Sequence, residues 1–145
     1  MKHRFSFVAT VASLAALSAL VMSAAPAQAA TCVTLEVRNV RPEQGTLMIA
    51  AYADAASFNK TPVVATQMKA GAETMTFALC GFSGEMAAFT LYQDLNGNGQ
   101  LDRNVLGIPS EPWGASGKPA AMSAPTWEAT AVPLDGTTIV VKLSK

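Results

Sequence analysis

The side chains best able to do chemistry lie between Asp94 and Asp102, in the run Asp-Leu-Asn-Gly-Asn-Gly-Gln-Leu-Asp. Oxygen-bearing side chains stand at positions 1, 3, 5 and 9 of that run (Asp94, Asn96, Asn98 and Asp102), with Gly99 at position 6. This matches most of the calcium-loop pattern D-x-[DN]-x-[DN]-G. Alternate residues of a tightly curled loop point at one centre, the glycine permits the turn, and position 7, here Gln100, offers its main-chain carbonyl. Asp102 would contribute directly or through water, and Glu111 could fold back to complete the shell. Position 12 is Val105 instead of the usual bidentate Glu. With two charged ligands, a calcium ion should be held at a Kd of ~10⁻⁴ to 10⁻³ M or weaker. A metal-free alternative needs only hydrogen bonds: Asn98-Gly99 makes a tight turn while Asp94 and Asn96 accept nearby backbone N–H groups.

Other chemistries are less well supplied. Asp102 and Glu111 could be paired as the two carboxylates of a glycosidase. Trp113 and Trp127 could form a stacking platform for sugar or peptide, although one lies in a loop and one near a strand start, which favours anchoring roles. Met48, Met68, Met75, Met86 and Met122 are dispersed without a Met-x-x-Met cluster, so they read as core filling and not as a copper site. The only histidine is His3, inside the expected export signal. Its loss would exclude Ser–His–Asp and Cys–His nucleophiles and histidine-ligated zinc. No recognisable catalytic constellation remains, so a non-enzymatic protein is expected.

Residues 1–29 have the order of a secretory signal: positive Met1-Lys2-His3-Arg4, an apolar run from Phe5 to Met22, and a small-residue tail ending Ala27-Gln28-Ala29. Cleavage before Ala30 leaves 116 residues, enough for one domain spanning 30–145. The mature chain then carries 8 basic and 10 acidic residues. That balance offers no basic stripe for nucleic acid, and no further apolar run is long enough to span a membrane. A periplasmic or secreted location follows, where disulfides persist. Cys32 and Cys80 are the only cysteines, and both have the parity opposite to the large apolar residues of their segments. On neighbouring strands, both sulfurs can therefore leave the same sheet face. A structural bridge between them is expected.

The elements that must position the loop are short and extended. Val33–Val40, Thr46–Ala53, Val63–Lys69, Thr74–Cys80, Met86–Gln93, Thr126–Val132 and Thr137–Leu143 read as strands, separated by turn clusters. Thr46–Ala53 is apolar on both faces, which suits a central strand. Asp54–Thr61 is an irregular link containing Phe58, and Pro133 should end the penultimate strand or put it at an edge. Leu95 to Pro125 holds five glycines and four prolines and cannot form a regular element. Loops of this length inside a compact domain are often functional. About seven short strands indicate an all-β antiparallel sandwich, immunoglobulin-like or transthyretin-like, with a small closed barrel as the alternative.

The run from Tyr92 to Asp102, then Asn104, Gly107-Ile108-Pro109, Glu111 and Trp113-Gly114-Ala115-Ser116, resembles the signature of the bacterial "domain of unknown function 2141" family. Members are similar to H-D-x-N-x-N-G-x-x-D followed by G-x-P-x-E-x-x-G-x-S. The resemblance extends from about Leu35 to Leu143. This chain departs in having Gln93 where histidine is common and Trp113 where tyrosine is common. The resemblance implies an exported β-sandwich and supplies no reaction. The loop is also similar to the calcium loops of B-type repeats in bacterial surface proteins, where an acidic residue usually fills the position of Val105.

The reading that joins these observations is an exported, non-enzymatic β-sandwich acting as an envelope binding or accessory module. Its loop would be a folded recognition element, with Glu111, Trp113 and Ser116 as candidate recognition residues. The partner could be an envelope protein, a glycan or a small ligand. The alternatives are a secreted hydrolase using Asp102 and Glu111, and a purely structural envelope component.

Overall fold

The computed structural model describes residues 30–120 and 123–144; the expected signal segment 1–29 lies outside the described residues, as do Met122 and Lys145. Eight strands and one helical turn follow in order: β1 Thr31–Arg38, β2 Thr46–Tyr52, β3 Val64–Lys69, β4 Thr74–Phe82, β5 Met86–Asp94, β6 Trp113–Ala115, α1 Trp127–Thr130, β7 Val132–Pro133 and β8 Ile139–Lys142. They form two sheets, β4-β1-β8 and β3-β2-β5-β6, with β7 pairing the start of β5. The fold is an all-β sandwich, as the alternation in the sequence predicts.

Alternation decides which side chains enter the core. Val33, Leu35 and Val37 of β1 and Phe77 and Leu79 of β4 face Leu47, Ile49 and Ala51 of β2 and Phe89 and Leu91 of β5. Ile139 and Val141 of β8 close the same cluster. Cys32 lies directly opposite Cys80 in the β1–β4 ladder, and the two are joined by a disulfide. Both are exposed, on the face away from the core, as their parity requires. A bulge at the β4 end of this ladder takes up Gly81 at φ +117°, a conformation that suits glycine.

Three details differ from the sequence expectation. Residues 113–115, inside the Gly/Pro-rich stretch, pair with Thr90–Tyr92 as strand β6; three residues leave too short a pattern to detect. The segment expected to be extended from Thr126 to Val132 instead begins with α1, whose Trp127 ring packs edge-on against Phe58 at 6.2 Å. Burial of that ring outweighs local β propensity. The last strand joins β1 in parallel, Leu35 opposite Ile139, so the antiparallel architecture has one parallel pair. Pro133 does end its strand.

The two sheets meet at the β6–β8 corner. The Ser144 N–H donates to the Trp113 carbonyl at 2.7 Å, and the Trp113 N–H donates to Ser144 Oγ at 3.0 Å. Backbones come so close that a Cβ on Gly114 would lie 2.5 Å from the Lys142 carbonyl oxygen. Glycine is therefore required there for approach and not for φ. Among the described residues, no helix is long and apolar enough to cross a membrane.

Candidate functional site

Along its outward face, β5 presents Ala88, Thr90, Tyr92 and Asp94, and each meets a different environment. Asp94, at the strand end, organises the loop that follows. Its Oδ1 accepts the N–H groups of Gly97 at 2.8 Å and Asn98 at 3.2 Å, and Oδ2 accepts that of Gly99 at 2.7 Å. The carboxylate is 3% exposed. Gly97 and Gly99 take φ of +77° and +76°, which curls the backbone so that its amides converge on one acceptor.

The rest of the curl is closed by side chains. Asn96 Oδ1 accepts the Asn98 N–H, and Asn98 Oδ1 accepts the Gln100 N–H. Both carboxamides then donate to Asp102, Asn96 Nδ2 to Oδ2 at 2.6 Å and Asn98 Nδ2 to Oδ1 at 2.9 Å. Asp94, Asn96, Asn98 and Asp102 thus share one curl, while Gln100 joins it through its backbone N–H. The curl is spanned by N–H···O bonds. Among the described residues, no group of three or more His, Cys, Asp or Glu side chains is placed to hold a metal ion.

Glu111 ties the two ends of this curl together. Its Oε1 accepts the Leu95 N–H at 2.7 Å and its Oε2 accepts the Asp102 N–H at 3.1 Å. The side chain is 6% exposed, and both oxygens face backbone. A charged acceptor for two otherwise stranded donors offsets the cost of burying the carboxylate. Asn104 Oδ1 repeats the device for the tip, accepting the N–H groups of Leu106 and Ile108.

Ser116 lies away from the curl. Fully buried, its hydroxyl accepts the Phe89 N–H at 2.9 Å and donates to the Thr130 carbonyl at 2.6 Å. It fastens the chain after β6 to the sheet and to α1. Gln93, on the inward face of β5, accepts the Arg41 N–H and donates to the carbonyls of Arg41 and Gln44. It holds the β1–β2 turn under the loop. Of the expected recognition residues, Glu111 and Ser116 are buried and bonded to backbone, while Trp113 is partly exposed and lines a surface hollow.

Trp113 belongs to a surface that the sequence does not single out. Register places Gln67, Met48, Tyr92 and Trp113 in one row across β3, β2, β5 and β6. The next outward row is Ala65, Ala50, Thr90 and Ala115. Beyond it stand Tyr52 and Phe58, ring centroids 5.2 Å apart, with Trp127 against Phe58. Small residues between two rows of large ones make a trench across the sheet. It comprises adjoining hollows of about 640 and 570 Å³ that share Thr90 and Tyr92. The second is rimmed by Leu106, Ile108 and Pro109 of the loop tip. Trp127 is an anchor on the far bank and does not share a platform with Trp113. The available signal was the apolar outer face of β2 (Met48, Ala50, Tyr52), where a solvent-facing strand would alternate with polar residues.

Tyr92 links the trench to the loop by donating its hydroxyl to the Gly99 carbonyl at 2.9 Å. Partial burial pushes its phenol pKa above the ordinary value of 10.0, and the charges of Asp94 and Glu111 push it the same way. Val105 is fully exposed and Leu106 is 79% exposed, at the tip of a loop anchored at both ends.

No curated protein and no solved structure matches the chain significantly. A model of a family described as an uncharacterized protein conserved in bacteria, DUF2141, matches residues 35–142, a span that contains both sheets except the first four residues of β1, the curl with its Glu111 clasp and the buried Ser116, and the chain belongs to that family.

Proposed function

We propose that this chain is an exported, non-enzymatic recognition module of the bacterial envelope, binding its partner over the trench and the Leu101–Pro109 rim. The observation that carries the reading is an open hollow bordered by apolar side chains on a loop fastened at both ends by Glu111. Holding Val105, Leu106 and Ile108 in solvent carries a hydrophobic cost that binding would relieve. The Cys32–Cys80 bridge supports an oxidising compartment, periplasmic or extracellular. The engagement of both Glu111 oxygens by backbone N–H groups supports an anchoring role over proton transfer.

The test is co-sedimentation of the mature protein with envelope fractions. Wild type should be retained, and an Ala50→Trp variant, which fills the trench from its solvent-facing side, should be released. Equal retention of the two, or of neither, defeats the reading. Hydrolysis of a glycan library that disappears with Glu111→Gln in a folded variant would instead establish the enzyme.

A second reading keeps calcium at the curl and is favoured by the convergence of Asn96, Asn98 and Asp102. Rotating the two carboxamides would turn their oxygens inward beside the Asp102 and Asp94 carboxylates. Millimolar calcium should then raise the melting temperature of wild type and not of Asp102→Asn. An unchanged melting temperature leaves the curl closed by its own hydrogen bonds.

A further inference from the structure

The chain has two Asn–Gly pairs, Asn96-Gly97 and Asn98-Gly99, and both lie in the curl; its other asparagines do not precede glycine. Such a pair is prone to spontaneous deamidation, because no side chain shields the glycine nitrogen from the preceding carboxamide carbon. The glycine nitrogen gives up its proton and bonds to Cγ, the Cγ–Nδ2 bond breaks, and ammonia leaves with that proton. The product is a five-membered succinimide. Water then opens the ring at one of its two carbonyls, giving aspartate or an isoaspartate whose main chain is longer by one carbon.

All four residues are exposed, so solvent reaches them. The atoms the reaction needs are nevertheless engaged. Both attacking nitrogens donate to Asp94, Gly97 N–H to Oδ1 at 2.8 Å and Gly99 N–H to Oδ2 at 2.7 Å. A carboxylate there opposes loss of the amide proton, since a second negative charge would form beside the first. Both leaving nitrogens donate to Asp102, and the two carboxamide oxygens accept the N–H groups of Asn98 and Gln100. Turning either Cγ toward its glycine nitrogen therefore breaks bonds at both ends of the carboxamide. The Tyr92 hydroxyl adds a hold on the Gly99 carbonyl.

The product cannot resume the same place. Aspartate at 96 or 98 puts a charged oxygen where Nδ2 faces Asp102 at 2.6 or 2.9 Å, and two carboxylates at that separation repel. Isoaspartate lengthens the chain between the N–H groups that converge on Asp94.

We propose that Asn96 and Asn98 are guarded modification sites: the closed curl, through Asp94 and Asp102, suppresses their deamidation, and conversion in the opened curl leaves a form that does not close again. This holds whatever the trench binds. The experiment incubates the mature, disulfide-bonded protein in mildly alkaline buffer with a chelator and follows amide-to-acid conversion at 96 and 98 by peptide mass spectrometry. Conversion should be at least about tenfold slower in native wild type than in wild type unfolded by urea. Asp102→Ala frees both carboxamides and leaves Asp94 in place. With its fold verified by circular dichroism, it should convert several-fold faster than native wild type. Equal rates with and without urea overturn the guard, and so does Asp102→Ala converting at the wild-type rate. A folded Asp94→Asn variant that converts more slowly than wild type would make Asp94 the base that drives the reaction, which also overturns it. The one-way step is read from Asn98→Asp, in which amide exchange at Gly97 and Gly99 should be faster than in wild type. Unchanged exchange at these two glycines would show that the curl recloses and overturn that step.

Discussion

A Cβ on Gly45 would lie 2.0 Å from the carbonyl oxygen of Asp94, so the turn before β2 and the start of the curl touch backbone to backbone. Gly45 also takes φ +61°. Gly99 has φ +76° with open space around it. The pair separates two costs. Gly99→Ala should lose only the left-handed backbone penalty, about 1–2 kcal/mol. Gly45→Ala adds a clash that only main-chain movement can relieve, and should lose about 3 kcal/mol or more. Urea denaturation of the two variants checks the order, and equal losses would mean that the turn yields freely.

Glu111 is buried with both oxygens engaged, so its removal should be felt in stability. In Glu111→Gln one oxygen remains an acceptor while the new NH₂ group faces a backbone N–H. Loss of one charge-assisted bond and the donor–donor contact should together cost about 2–3 kcal/mol. Amide hydrogen exchange should quicken first at Leu95 and Asp102, whose N–H groups this side chain holds. Faster exchange spread evenly over the sheets, with these two unexceptional, would deny Glu111 its role as clasp.

The strands were legible because alternation was clean: Val33, Leu35 and Val37 could only face inward, and Cys32 and Cys80 could only face out. The curl was legible because Asx side chains and positive-φ glycines are local devices, visible at spacings of two to five residues. What escaped detection depended on long-range partners. Glu111 bonds residues 16 and 9 positions away, and Ser116 bonds Phe89 at 27. Their roles as anchors cannot be read from neighbours in the chain. The trench was hidden for the same reason, since Met48, Tyr92 and Trp113 become a row only through register. Trp127 was misplaced on a strand because its partner, Phe58, sits in a link without pattern.

The disulfide joins two strands that already pair along their whole length, and its contribution should lie mainly in the unfolded chain. Linking residues 48 apart restricts that ensemble by about 4 kcal/mol in the loop-entropy model. The Cys32→Ser, Cys80→Ser double variant should therefore denature at distinctly lower urea, with native amide shifts retained outside β1 and β4. Both sulfur-bearing residues are exposed, so reduction of the native protein by a small thiol should reproduce the shift without prior unfolding. Resistance of the folded bridge to such a thiol would contradict that exposure.

Tyr92 gives the molecule a dependence on alkaline pH with a definite sign. Burial, then the carboxylates of Asp94 and Glu111, hold its phenol protonated beyond the ordinary value of 10.0. The unfolded chain ionises at that ordinary value, so between the two pKa values it binds fewer protons than the native state. Stability from this source is therefore complete below pH 10.0 and is lost as pH rises through the folded pKa. Tyr92→Phe abolishes the effect along with the hydrogen bond to Gly99, whose loss costs about 1 kcal/mol at neutral pH. Wild type should be the more stable of the two at pH 7, and the gap should shrink once the solution passes pH 10. The difference in phenolate absorbance between the folded proteins isolates the same group and should have its midpoint above 10.0. A midpoint at or below that value would mean that Tyr92 is freely solvated and that its hydroxyl does not hold the curl against the sheet.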